Sequence, residues 1–283
     1  MPDKPPSPRG PDPYEGVRWD LSDTMTYSGY LGLPKLLDAQ YPQSGQHDEL
    51  LFIIIHQASE LWMKLCLHEL RAAVTHIRAD DLKPAFKMLS RVGRIQTTMI
   101  QGWEVLATMT PADYGRFRDA LGSSSGFQSY QYRQIEFLLG AKDARTIDVH
   151  RCDPEIAAVL DTALAEPSLY DESLRLLARR GFAIPADHLT RDFRQPYLAN
   201  PEVEAAWTAV YRDVDQYWDL YELAEKLVDV EYRLQQWRFS HMKTVERIIG
   251  FKRGTGGSAG VSYLVKALDR SFFPELLNLR TAL

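Results

Sequence analysis

The sequence contains little cysteine. Cys66 and Cys152 are the only two among its 283 residues, and neither lies in a CxxC or CxxCH motif. A disulfide framework requires more thiols than this, and covalent attachment of haem requires the CxxCH pair. Neither kind of site is therefore indicated.

The sequence also lacks a long hydrophobic run and any concentration of positive charge. Its longest apolar run, from Leu50 to Ile55, is too short to span a membrane, and the N-terminus lacks the order of a signal peptide. The formal net charge is −5, and no basic patch is interleaved with aromatic residues. We therefore expect a soluble, cytoplasmic protein that binds neither nucleic acid nor a membrane.

Proline and glycine are dense at the N-terminus and absent from two long stretches. The composition of residues 1–20 predicts a disordered arm that precedes one domain over residues 21–283. No glycine or proline occurs from Asp48 to Ala79 or from Glu202 to Ile249. Apolar residues recur there at helical spacing, and no alternating strand pattern or internal repeat is present. The predicted fold class is all-α.

The second of these stretches is too long for one straight helix in a compact domain. As a single helix it would span roughly 70 Å. We therefore expect it either to bend or to extend into an oligomer interface. Shorter helices are predicted over about Pro84–Met109 and, as a pair, within about Pro154–Gly181.

Two histidines lie among the apolar side chains of these helices. Trp237, His241 and Ile248 share one helical stripe, and His56 lies one turn from Phe52. An imidazole in such a place can be a metal ligand, although a hydrogen-bonded core histidine is the commoner case. No HExxH motif accompanies either histidine, so a zinc site has no support.

A possible anion-binding side chain follows a strong helix start. Thr110-Pro111-Ala112-Asp113 combines an N-cap, a proline at the first helical position and an acid in the first turn. Tyr114 and Arg118 then lie one turn apart on the same face. Arg118 could hold a carboxylate through two hydrogen bonds or form a salt bridge at the rim, and the residues alone leave both interpretations open.

A glycine-rich loop follows the second long stretch. Residues 254–259 fit the G-x-G-x-x-[GA] pattern of dinucleotide-binding loops, but that pattern requires a preceding strand, and here a helix precedes it. No Lys-Ser or Lys-Thr pair follows, which excludes a nucleoside triphosphate loop. A turn with free backbone N–H groups beside Lys252 and Arg253 suits an anionic group, and a plain loop after a helix is equally consistent.

Five blocks of sequence together resemble the tryptophan 2,3-dioxygenase family. They are MTYSGYLGL, DELLFIIIHQASELWMKLCLHEL, TPADYGRFRDALGSSSGFQSYQYRQIEFLLG, LVDVEYRLQQWRFSHMKTVERIIGFKRGTGGSAGVSYL and FFPEL. The resemblance extends in matching order from about Tyr27 to the C-terminus. It implies an all-α homotetramer with haem b, ferrous in its active form. It also implies cleavage of the C2–C3 bond of the indole ring of L-tryptophan by O2 to give N-formyl-L-kynurenine, the first step of tryptophan degradation by the kynurenine pathway.

The resemblance assigns four residues to the cofactor. His241 matches the axial ligand of the haem iron. Ser125, Gly126 and Trp103 match positions beside the haem. These assignments come from the family and not from spacing.

It assigns five residues to the substrate. His56 matches the histidine that hydrogen-bonds the indole N–H, and Phe52 the aromatic residue packed against the indole. Arg118 matches the partner of the substrate carboxylate, with Tyr114 as its neighbour. Thr255 matches the contact to the ammonium and carboxylate. Because an indole N–H is a very weak acid, we expect His56 to orient and polarise that group and not to act as an obligatory base.

The resemblance also implies an exchange between subunits. Tyr27, Tyr30 and Leu31 match an N-terminal segment that reaches into a neighbouring subunit's active site.

Two other functions compete with the dioxygenase. A haem-binding sensor or a peroxidase-like protein would need His241 but neither Arg118 nor Thr255. A helical oligomerisation module would need no cofactor, and both histidines would then be core residues.

Overall fold

The structure is a computed structural model that describes residues 13–283. The first twelve residues of the predicted disordered arm lie outside the described residues. Residues 13–20 form a turn followed by an irregular stretch. Contacts divide the described chain between Tyr41 and Pro42, so residues 13–41 form one unit and residues 42–283 form a second.

The part of the chain that the structure describes contains thirteen α-helices and no strand, which confirms the all-α prediction. They are α1 (Tyr27–Leu31), α2 (Leu33–Leu37), α3 (His47–Arg78), α4 (Leu82–Leu106), α5 (Pro111–Phe117), α6 (Tyr130–Leu139), α7 (Pro154–Ala165), α8 (Leu169–Arg179), α9 (Ala186–Leu189), α10 (Pro201–Arg212), α11 (Trp218–Ile249), α12 (Val261–Leu268) and α13 (Pro274–Asn278).

Three long helices, α3, α4 and α11, form the centre of the larger unit, and α4 packs against both of the others. On α3 the buried apolar residues recur at intervals of three and four, which keeps them on one stripe; they are Met63, Leu67, Leu70, Val74 and Ile77. The buried residues of α11 follow the same intervals to Trp237, and His241 occupies the next position of that series. The core packing of α11 therefore fixes the direction of the His241 side chain.

The long stretch that ends at Ile249 is broken into two helices, as the bending alternative predicts, and its extension into an oligomer interface stays a prediction. Helix α10 ends at Arg212 and α11 begins at Trp218. Between them Asp213 leaves the helical conformation, with φ −134° and ψ 65°. Its side chain accepts a hydrogen bond from the backbone N–H of Gln216 at 3.3 Å. Short acidic side chains favour such local bonds over a continuing helix, which explains a break without glycine or proline.

A buried carboxylate near the C-terminus joins three distant segments. Glu275, on α13, is fully buried. It accepts hydrogen bonds from the hydroxyls of Tyr170 at 2.9 Å and Tyr197 at 2.6 Å, and from the backbone N–H of Asn200 at 2.8 Å. A buried carboxylate requires such donors, so these four residues form one interdependent cluster.

A second buried carboxylate holds the chain just before α13. Glu231, on α11, accepts hydrogen bonds from the hydroxyl of Ser271 and from the backbone N–H groups of Phe272 and Phe273, at 2.9–3.0 Å. Burial raises the pKa of Glu231, and these three donors oppose that rise. The C-terminal segment is thus fixed to the same helix that carries His241.

The N-terminal half of α3 exposes apolar side chains. These side chains are Leu50, Ile54, Leu61, Trp62 and Leu65, and each is 36–51% exposed. By length and composition α3 is the one helix among the described residues that could cross a membrane, and 17% of its most apolar window is buried. A surface of this kind is typical of an interface between subunits or with a membrane.

Candidate active site

The structure brings together His56, Trp103 and His241, one from each of the three central helices. The Trp103 indole is stacked on the His241 imidazole, with ring centroids 4.6 Å apart and planes 13° apart. It meets His56 edge to face, with centroids 6.3 Å apart. Residues separated by more than 130 positions in the chain therefore form one aromatic site.

Two indole N–H groups at this site have no hydrogen-bond partner. Nε1 of Trp103 and Nε1 of Trp237 are both buried and unpaired, and the two rings lie 5.4 Å apart. Buried donors are nearly always paired in native proteins. Both donors lie beside His241, whose ring centroid is 5.6 Å from that of Trp237. The site is therefore suited to a ligand that brings acceptor atoms into an apolar pocket.

The residues at the site fit haem b and do not fit a bare metal ion. Among residues 13–283 there is no group of three or more His, Cys, Asp or Glu side chains that could hold a metal. A porphyrin supplies four nitrogen ligands itself and needs only one axial imidazole, an apolar pocket and donors for its propionates. Burial, with a smaller effect of His56, lowers the pKa of His241 to about 4. His241 is therefore neutral at physiological pH, which is the form that binds a metal.

The other histidine has a fixed tautomer. His56 Nδ1 lies 2.7 Å from the carbonyl oxygen of Phe52, and because a carbonyl can only accept, Nδ1 carries the hydrogen. Burial lowers the pKa of His56, while the bond to Phe52 and the charge of Glu60 oppose that change. The ring is therefore neutral at physiological pH, and its Nε2 is available as an acceptor.

An aromatic cluster lies beside His56. The Phe52 ring centroid is 4.2 Å from that of His56, 6.0 Å from that of Tyr114 and 5.7 Å from that of Phe117. Phe117 is almost fully buried and is a site residue that the sequence analysis missed. Its position three residues after Tyr114, on the same helical face, is the signal that could have identified it.

Arg118 offers an unpaired donor close to this cluster. Helix α5 begins at the predicted N-cap, Thr110, which forms a capping box with Asp113, and it ends at Phe117, so Arg118 begins a short 3₁₀ helix. One terminal nitrogen of Arg118 donates to the carbonyl oxygen of Arg253 at 2.8 Å, and its buried Nε has no partner. Arg118 forms no ion pair with any described residue, and both interpretations of its role stay predictions. Its guanidinium is available to a carboxylate.

A cavity of about 280 Å³ lies next to Arg118. It is bounded by α5, by the end of α11 and by the residues that follow α11, and its lining includes Tyr114 and Lys252. Burial raises the pKa of Tyr114, although the neighbouring Arg118 acts in the opposite direction. Tyr114 is therefore a neutral phenol that can donate a hydrogen bond beside the guanidinium.

The glycine-rich loop lies against the segment that follows Arg118. The Thr255 hydroxyl donates to the carbonyl oxygen of Ser124. The adjacent Ser125 caps the 3₁₀ helix Gly126–Gln128 by accepting a hydrogen bond from Phe127 N–H at 3.3 Å. The loop follows a helix and not a strand, which confirms the helix predicted before it, whereas a dinucleotide-binding turn follows a strand.

Comparison with known proteins extends over nearly the whole chain. The model of the family "Tryptophan 2,3-dioxygenase" matches residues 14–283. The chain belongs to the tryptophan 2,3-dioxygenase family. This confirms the family that the sequence blocks indicated.

Individual members of the tryptophan 2,3-dioxygenase family are similar along their full length. The protein of this name from Erythrobacter litoralis is 61% identical over 263 residues, which cover 93% of this chain and 100% of the relative. Those from Bacillus thuringiensis (strain Al Hakam) and Cupriavidus necator are 59% and 57% identical, with 95% of this chain and 96% and 92% of the relatives covered.

In this member of the tryptophan 2,3-dioxygenase family, a buried polar network adjoins the candidate axial histidine. Arg238, three residues before His241, donates to the Tyr132 hydroxyl at 2.8 Å and to Glu136 at 2.8 Å. The Tyr132 ring packs against Trp237, with centroids 5.2 Å apart. This network was not predicted from the sequence. The available signal was a charged residue, Arg238, one turn from His241 on a helix with an apolar face.

Three predicted site residues lie in the other unit. Tyr27, Tyr30 and Leu31 are on α1, before Pro42, and their side chains are 76%, 76% and 43% exposed. Their role in a neighbouring subunit's site stays a prediction.

Proposed function

We propose that the chain is a haem b dioxygenase that cleaves the C2–C3 bond of the indole ring of L-tryptophan with O2 to give N-formyl-L-kynurenine. This is the first step of tryptophan degradation by the kynurenine pathway. Membership of the tryptophan 2,3-dioxygenase family over residues 14–283 carries the proposal. The unpaired donors of Trp103, Trp237 and Arg118 support it, because they match the needs of an acidic cofactor and an acidic substrate.

In this proposal His241 would hold the haem iron, and Trp103, Ser125 and Gly126 would lie beside the haem. When bound, the ferrous haem supplies the activation of O2. The stacking of Trp103 on His241 restricts rotation of the imidazole. The polar network through Arg238 holds the helix that carries His241 in a fixed position.

The remaining residues bind and orient the amino acid. Arg118 pairs with the carboxylate through its free Nε, Tyr114 donates beside it, and Thr255 contacts the carboxylate and the ammonium. Phe52 packs against the indole ring. The neutral Nε2 of His56 accepts a hydrogen bond from the indole N–H, which orients the ring and increases electron density on it. The aromatic cluster around Phe52 keeps water away from the ring.

We infer that the enzyme is a cytoplasmic homotetramer. The exposed apolar face of α3 supports burial between subunits. The exposed tyrosines of α1 support docking of the N-terminal segment in a neighbour's active site.

The function is tested by mixing ferrous, haem-loaded protein with L-tryptophan in air and following the absorbance of the haem and of N-formylkynurenine. We expect product in large excess over enzyme. Haem binding without product would favour the sensor or peroxidase-like alternative. Failure to bind haem would contradict the assignment of His241 and favour the oligomerisation module.

Replacing His56 with alanine is expected to slow turnover by about tenfold without abolishing it, because one neutral hydrogen bond to the substrate is lost. Steady-state rates across a pH series measure this.

In the wild type, tryptophan binding should weaken as pH falls, with a midpoint below the usual histidine value of ~6.5, because burial lowers the pKa of His56 and only the neutral ring accepts the bond.

The control for this variant is replacement of His68, an exposed histidine of the same helix, with alanine. That change should leave the rate unaltered. Complete loss of turnover in the His56 variant at every pH would instead indicate an essential base.

Deletion of residues 1–31 is expected to reduce kcat/KM by at least roughly tenfold, because Tyr27, Tyr30 and Leu31 would no longer complete a neighbour's site. Deletion of residues 1–20 is the matched control, since it retains those three residues. Both rates are measured with haem content determined separately. An unchanged rate after the longer deletion would contradict the proposed exchange between subunits.

A further inference from the structure

Position 256 requires glycine because a side chain there would collide with Ser125, and not because of its backbone conformation. Its φ is outside the left-handed region, so an L-residue could adopt its conformation. A Cβ at this position, however, would lie 2.6 Å from Cβ of Ser125 and 3.1 Å from Oγ of Ser125. The first of these distances is shorter than real Cβ contacts. The glycine-rich loop and the segment around Ser125 therefore approach more closely than any side chain at position 256 would allow.

The atom that would obstruct a side chain is different at Gly254, another glycine of the same loop. A Cβ at Gly254, whose φ is also outside the left-handed region, would meet only the Ser258 hydroxyl within 3 Å, at 2.7 Å, and a hydroxyl can rotate away. At Gly256 the obstacle is a Cβ atom, which moves only with its backbone. Of the two, Gly256 is the glycine whose lack of a side chain fixes the distance between the two segments.

Three consecutive contacts connect these segments. Arg118 donates to the carbonyl oxygen of Arg253, the Thr255 hydroxyl donates to the carbonyl oxygen of Ser124, and Gly256 packs on Ser125. A shift at Gly256 therefore moves the adjacent Thr255 relative to Arg118. In the proposed function these two side chains together hold the amino-acid end of the substrate.

We propose that Gly256 is a positioning residue that sets the affinity for the α-ammonium and α-carboxylate groups of the substrate. It acts through Thr255, by permitting the close contact with Ser125 that holds the Thr255 hydroxyl on the Ser124 carbonyl oxygen. This inference rests on the proposed function. It goes beyond that function by identifying the contact on which recognition of the amino-acid group depends.

The test is a double-mutant cycle between Gly256 and Ser125. Gly256→Ala should raise KM for L-tryptophan about tenfold and change kcat by less than about threefold, since a loss near 1.4 kcal/mol in binding corresponds to a factor of ten. Adding Ser125→Gly removes the obstructing Cβ and leaves Ser123 O, at 3.6 Å, as an ordinary contact. The double variant should therefore return to the KM of Ser125→Gly alone.

Gly254→Ala is the comparison within the same loop. Because only a rotatable hydroxyl opposes its new methyl group, its KM should rise much less than that of Gly256→Ala. An unchanged KM in Gly256→Ala would overturn the proposal. So would a double variant no better than Gly256→Ala.

A second measurement, the rate of trypsin cleavage, reports on the conformation of the loop. Lys252 and Arg253 are exposed and lie immediately before the loop, so trypsin should cleave after them. L-tryptophan should slow this cleavage in the wild type and have little effect, at the same concentration, in Gly256→Ala. The haem content of the variant, measured after extraction, should remain that of the wild type, because His241 lies on α11 and outside the loop contact.

The outcomes separate the two proposals. If the wild type forms no product and tryptophan does not protect it from trypsin, the proposed function fails. If the wild type does both and Gly256→Ala behaves identically, the proposed function stands and the role of Gly256 is wrong.

Discussion

Replacing His241 with alanine is expected to abolish both turnover and the histidine-ligated spectrum of bound haem. The imidazole occupies the position that follows the buried series of α11, is stacked on Trp103, and is kept neutral by desolvation that lowers its pKa to about 4. Among residues 13–283 no cluster of metal-binding side chains could replace it. We expect a loss of at least roughly a hundredfold in kcat, because iron without its axial ligand loses the electronic control that the protein provides.

Absorbance of the ferric and ferrous protein, with haem content measured after extraction, checks this prediction. Replacement of the exposed His68 with alanine is the control and should leave both spectrum and rate unchanged. Imidazole added to the His241 variant should restore part of the ligated spectrum, which separates loss of a ligand from loss of folding. A normal histidine-ligated spectrum in the variant would show that another residue is the axial ligand.

Replacing Arg118 with leucine is expected to lower kcat/KM for L-tryptophan by roughly a hundredfold while haem binding is retained. The guanidinium has one bond to the Arg253 carbonyl and a buried Nε without a partner, so it is available to a carboxylate. A hydrogen bond to a charged group contributes about 1.5–3 kcal/mol, and two such bonds to one carboxylate account for the expected loss.

Arg116 provides the matched control for this change. It lies on α5 two residues before Arg118, is exposed, and has its nearest carboxylate, that of Asp113, at 3.9 Å. Arg116→Leu should therefore retain the wild-type rate. Binding of tryptamine, which lacks the carboxylate, should be similar in the wild type and in Arg118→Leu. An equal loss for tryptamine and tryptophan would point to a general disturbance of the site, and unchanged turnover of tryptophan would refute the role of Arg118.

The helices were predictable wherever a pattern within one segment decides the structure. Helix α3 was expected from Asp48 to Ala79 and spans His47–Arg78, because its uninterrupted apolar stripe has no local competitor. The exact break before α11 was not predictable from glycine and proline. It depends on the side chain of Asp213, whose hydrogen bond to a nearby backbone N–H replaces helical bonding.

The candidate site was predictable only in part for a related reason. Spacing along α11 placed Trp237 and His241 on one face, but the stacking of Trp103 on His241 joins residues 138 positions apart, and no periodicity within one helix contains it. The bonds from Arg238 to Tyr132 and Glu136 likewise cross more than 100 positions of sequence. Recognition of the family supplied His56, Arg118 and Thr255 with their roles. It did not supply Phe117 or the contact between Gly256 and Ser125.

The position of Glu275 near the end of the chain has a consequence for biosynthesis. The hydroxyls of Tyr170 and Tyr197 and the N–H of Asn200 are translated well before the carboxylate that accepts their hydrogen bonds. The central pair α3 and α4 can assemble while the chain is still being made, since domains generally fold from the N-terminus during synthesis. The region around Tyr170 cannot assemble at that stage. Its polar groups acquire their acceptor only when Glu275 has been synthesised and has left the ribosome, so the nascent chain keeps this corner open until then.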